Sequence, residues 1–99
     1  MQIALKIKGK DKIFTTDFIS ARMVRRTIEV SQNTNFDNIS VKELDTLVAF
    51  VVEIFEHQFT VDEVYDGLSS DKLFSTITCC IQEVTGSVED VTAGDEKNG

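Results

Sequence analysis

Between Ser40 and Phe59 the apolar side chains recur at the spacing of one helix face: Val41, Leu44, Leu47, Val48, Val51, Ile54 and Phe55. At about 100° per residue they form a continuous stripe, widened on one side by Val52. Lys42, Asp45, Thr46, Glu53, Glu56 and His57 fall opposite. The stripe exceeds the roughly 100° apolar face of an ordinary surface helix. A helix over 41–57 is therefore expected at the centre of the core, packed from two directions. Ser40 and Glu43 stand in the capping-box relation, in which hydroxyl and carboxylate each satisfy a backbone N–H at the helix start. Phe50 lies on the flank of the stripe and is expected to be partly exposed. The run Leu47 to Val52 ends at Glu53, well short of the ~20 apolar residues of a membrane span.

The flanking segments follow other periods. Gln2 to Lys8 alternates, with Ile3, Leu5 and Ile7 on one side, as a half-buried strand does. Lys8-Gly9-Lys10-Asp11 reads as a turn and Lys12 to Thr16 as the returning strand, its lysines suited to an exposed edge. Asp17 or Ser20 can cap a helix over 18–32. Its inner stripe is read as Ala21, Val24 and Ile28, with Ile19, Met23 and Val30 beside it, and Arg22, Arg25, Arg26 and Glu29 opposite. Ser31 to Ile39 is a polar loop with Phe36 and Ile39 as anchors. Thr60 and Glu63 repeat the capping box and open a short helix over 61–68, with Gly67 near its end helping the chain turn. A last helix over 71–85, with Leu73, Phe74, Ile77, Cys80, Ile81 and Val84 inward, is expected to stop at Gly86. The fold class predicted is α+β: a single globular domain over 1–86, its N-terminal β-hairpin (2–16) packed on a small bundle of about four helices. Residues 87–99, acidic and nearly free of large apolar side chains, read as a disordered tail.

Net charge changes this picture by its distribution. The total is −7, yet residues 1–30 carry +4 and residues 31–99 carry −11. An acidic total disfavours nonspecific nucleic-acid binding, which depends on cations neutralising phosphates. The asymmetry suits head-to-tail association of copies, or orientation of a partner; simple solvated faces are the plainer account of it. No apolar run of signal-peptide length opens the chain, so a cytoplasmic location is expected. Cys79 and Cys80 are adjacent, which points to reduced thiols, Cys80 buried on the stripe and Cys79 more accessible.

No catalytic constellation emerges. The single His57 lies beside Glu53 and Glu56 on a polar helix face, with no nucleophile positioned for it. Two cysteines and one distant histidine lack zinc-ligand spacing. Five scattered glycines form no phosphate loop. Asp62, Glu63 and Asp66 lack calcium-loop spacing and instead suit the first turn of a helix. No enzyme activity, metal or cofactor is expected.

The lysine-rich hairpin, basic helix, apolar central helix and the segment Phe59-Thr60-Val61-Asp62-Glu63-Val64-Tyr65-Asp66-Gly67-Leu68 together resemble the tail assembly chaperones of long-tailed bacteriophages and prophages. The resemblance covers roughly residues 3–85. It implies a non-enzymatic chaperone that coats the hydrophobic, helical tape measure protein, keeps it soluble, and leaves as tail tube subunits replace it. It also implies action in the bacterial host cytoplasm and absence from the mature virion. In many members a longer form, made by ribosomal frameshifting, recruits tube subunits; Lys97-Asn98 can be encoded by an A-rich slippery run. Candidate partner contacts are Arg22, Arg25 and Arg26 for charge, or an ordinary wet helix face, and Phe50, Val52 and Phe55 for apolar contact. The alternative function is a small regulator that binds nucleic acid through the basic helix and hairpin.

Overall fold

The structure, a computed structural model, describes the backbone of residues 1–98 and the side chains of residues 1–86. An antiparallel hairpin, β1 (Gln2–Ile7) and β2 (Lys10–Thr15), precedes four helices: α1 (Ala21–Gln32), α2 (Val41–Ile54), α3 (Val61–Gly67) and α4 (Leu73–Asn98). This is the α+β arrangement read from the sequence. The expected disordered tail, 87–99, lies outside the residues described in full.

The hairpin is closed by two residues. Ile7 pairs with Lys10, leaving Lys8 and Gly9 at φ of 54° and 78°. Positive φ at both central positions is what a turn matching the strand twist requires, and Gly9 adopts it without steric cost. Alternation then places Ile3, Leu5 and Phe14 in the core and leaves Ile13 in solvent. The pair extends to the terminus, where Met1 and Thr16 exchange hydrogen bonds of 3.1 and 2.9 Å.

Helix α2 occupies the centre. It buries Leu47, Val48, Phe50, Val51, Val52 and Ile54, and it packs against α1, α3 and α4. The wide apolar stripe is thus accounted for by three helical neighbours. Both expected capping boxes form: Ser40 with Glu43 on α2, and Thr60 with Glu63 on α3. Glu43 also accepts from the Asn35 N–H at 2.6 Å, tying the loop before α2 to its first turn. Phe36 does not anchor that loop; Ile39 packs on the core, whereas Phe36 stands half in solvent.

Four details differ from the periodic reading. Helix α1 starts at Ala21 after Ser20, not at Phe18, and its buried side is Met23, Thr27 and Val30, with Ala21 and Ile28 outside. Thr27 is accommodated there because its hydroxyl donates to the Met23 carbonyl at 2.7 Å, freeing its methyl for the core. Helix α2 stops at Ile54 instead of continuing to 57. His57 N–H bonds the Val52 carbonyl and Glu56 N–H the Glu53 carbonyl, both at 3.0 Å. With Glu56 at φ 56°, this is a Schellman ending built without its usual glycine. Helix α4 begins at Leu73 and passes through Gly86, where nothing in the fold requires a break. Val41, on the predicted stripe, is 78% exposed, and Phe74 near the start of α4 is exposed as well.

Gly67 has a role that its sequence position did not suggest. It remains helical, and a Cβ there would lie 2.8 Å from the Lys6 carbonyl oxygen and 3.2 Å from Leu5 Cβ. The missing side chain is what lets α3 lie against β1.

Candidate partner-binding surfaces

The basic candidates sit together on α1. Arg22 and Arg25 are exposed on its outer side. Arg26 is turned towards α2, where its Nε donates to Glu53 Oε2 at 3.0 Å across the helix pair. Glu29 shares this face at helical spacing, yet the acid that pairs with Arg26 among the described residues is Glu53, because α1 and α2 pack closely enough to bring the two together. Two of the three arginines therefore remain directed at solvent.

The apolar candidates are placed differently. Phe50 is 0% exposed, Phe55 is equally enclosed and Val52 is nearly so. Phe50 is surrounded because neighbouring helices cover both flanks of the α2 stripe, which the period of one helix cannot reveal. The folded surface does not offer Phe50 or Phe55 to a partner. Among the described residues, the large apolar side chains it does offer are Ile13, Phe18, Ile28, Phe36, Val41 and Phe74. Sequence reasoning placed several of these in the core; the period of one element does not show which of its positions a neighbour covers.

A shallow groove lies where α2 turns into α3. Ala49, Val52, Phe59 and Val61 give it an apolar lining, and Glu53 and His57 stand at its rim. Phe59 is fixed from beneath by Phe14, with ring centroids 4.9 Å apart, and by Phe55 at 5.4 Å. His57, which like Glu56 before it has left-handed backbone, lines one side. Val52 therefore contributes to a surface groove, although mostly from its floor.

The remaining polar groups stabilise structure. Tyr65 donates to Asp45 across α2 and α3, and burial together with that carboxylate pushes its phenol up to about 12. Hydrogen bonds from Asn35 and Ser40 hold the Glu43 carboxyl below its ordinary range. Burial pushes the Cys80 thiol up to about 12, while Cys79 is exposed, the division expected from the helix stripe. Among the described residues no group of three or more His, Cys, Asp or Glu is placed to hold a metal ion. In the same residues no helix is long and apolar enough to cross a membrane.

Exposed apolar side chains and charges segregated along the chain are compatible with a protein that acts by binding other proteins. The family comparison makes that class specific. The model of the family described as phage tail chaperone protein matches residues 1–99, the whole chain. The protein belongs to that phage tail chaperone family, as the resemblance implied. No curated protein and no solved structure matches the chain.

Proposed function

We propose that the protein is a non-enzymatic chaperone that binds and solubilises the tape measure protein and helps recruit tail tube subunits during tail assembly. The observation that carries this reading is the family match over the entire chain. The surface is consistent with it: Phe18, Ile28, Phe36, Val41 and Phe74 are available to cover apolar helix on a partner. Several copies along one long partner gain by multivalency where each contact is weak. Copies associate head to tail in this reading, since contacts that do not close a ring extend along a filament or spiral. The protein acts in the bacterial host cytoplasm and leaves before the virion is complete. Tube recruitment is assigned to a longer, frameshifted product. The nucleic-acid alternative is weaker, because Arg26 is already engaged by Glu53 and the chain is acidic.

The test is co-expression with the tape measure protein of the same phage or prophage, followed by affinity capture and sizing. A soluble complex containing many copies of this chain is expected. A tape measure protein that stays insoluble while this chain elutes alone would refute the proposal.

A further inference from the structure

We infer that Phe18 with the outer face of α1, and the groove at the α2–α3 corner, are the two halves of one contact between copies of this chain. The inference deepens the self-association part of the proposed function by naming the surfaces through which it runs.

Phe18 keeps 66% of its surface in solvent, immediately before α1. Arg22 and Arg25 follow it by four and seven residues, and both are exposed. One apolar knob is thus followed along the chain by two cations that make no ion pair among the described residues. The groove has the opposite character. Its lining is apolar, the Glu53 at its rim is already paired with Arg26, and the free acidic charge comes from the exposed carboxylates Glu56 and Asp62, which adjoin its lining residues His57 and Val61 in the chain. Phe18 is not among the groove's lining residues, so the knob is not satisfied within its own chain.

Charge complementarity selects the occupant. An aromatic side chain entering the groove removes apolar area from water on both sides. Arg22 and Arg25 then meet Glu56 and Asp62 at a desolvated margin, where opposite charges orient the encounter. A second copy supplies the knob, the cations, the groove and the carboxylates together. Because the two halves are different patches of one molecule, each copy that docks leaves one half open for the next.

Sedimentation velocity over a range of protein and salt concentrations tests this on the full chain. The wild type is expected to associate with rising concentration and less so in high salt. Phe18→Asp and Val61→Asp are each expected to weaken association about tenfold or more, as loss of a central contact residue does. Phe18 is exposed; Val61 is half-buried against the core but opens α3, where a carboxylate suits the helix dipole and offsets part of the lost packing. Melting curves check that each variant folds, and Glu56→Lys, at an exposed position, supplies a third variant expected to weaken association. Mixing Phe18→Asp with Val61→Asp restores association but stops it at pairs, since one variant keeps an intact groove and the other an intact Phe18. A wild type that associates while all three variants associate equally would overturn the inference and leave self-association standing through other surfaces. A folded mixture that stays monomeric would overturn it too. A wild type that is monomeric throughout would remove both, whereas tape measure binding is read independently in the co-expression experiment.

Discussion

Gly67→Ala and Gly86→Ala make the same chemical change in two helices, and the structure gives them opposite signs. Replacing glycine with alanine in a helix ordinarily stabilises by roughly 0.5–1 kcal/mol, because the unfolded chain loses freedom. At Gly86 a new Cβ meets nothing within 4 Å, so that gain is unopposed. At Gly67 the new atom would stand 2.8 Å from the Lys6 oxygen, 3.1 Å from the Lys6 nitrogen and 3.2 Å from Leu5 Cβ. The first two are backbone atoms of β1, and Leu5 is fully buried, so no side chain can rotate away. Either α3 or the hairpin must shift, and overpacking of this kind costs about 1–3 kcal/mol. The propensity gain offsets part of that, which leaves a net loss of roughly 1–2 kcal/mol. For a domain of this size each kcal/mol moves Tm by about 4–8 °C. Thermal melts followed by circular dichroism are expected to show Gly67→Ala lower than wild type by roughly 5–15 °C and Gly86→Ala equal or a few degrees higher. Gly67→Ala melting at or above the wild type would refute the close approach of α3 to β1.

The other predictions concern the core, the loop before α2 and the thiols. Phe50→Ala removes a fully buried ring and is expected to cost about 3–5 kcal/mol, so its loss of partner binding should track unfolding in a denaturant titration rather than leave a folded, binding-defective chain. Glu43 has its folded pKa lowered below 4.5 by the Asn35 and Ser40 hydrogen bonds. A lowered folded pKa adds stability above the unfolded value that is lost as pH falls through the folded one. Tm measured from pH 7 down to about 3 should therefore fall more steeply in the wild type than in Glu43→Gln, the difference opening below about pH 4.5. A thiol reagent at mildly alkaline pH should label Cys79 quickly and Cys80 only on unfolding, and Cys79→Ser should abolish the fast phase.

Local signals made much of this protein legible in advance. The capping boxes at Ser40 and Thr60 were readable because both partners lie within one helical turn, so sequence spacing fixes their geometry. The alternation in β1, the Lys8-Gly9 turn, the central place of α2 and the opposite fates of Cys79 and Cys80 depend likewise on a single element's period. The charge asymmetry and the family resemblance, matched over the full chain, were equally present in the residues themselves.

Tertiary structure decided what depends on two elements meeting. Phe50 looked like a flank residue until the packing of α1, α3 and α4 around α2 enclosed it. Arg26 looked like one of three equivalent cations until α2 presented Glu53 to it. The end of α2 fell at Ile54 because the chain had to turn into α3, and backbone bonds to Val52 and Glu53 hold Glu56 and His57 in a conformation their residue types do not advertise. Gly67 is required by a strand more than fifty residues away in the chain. A helix period specifies which side chains share a face; which faces are covered, and how closely, is fixed only when the elements pack.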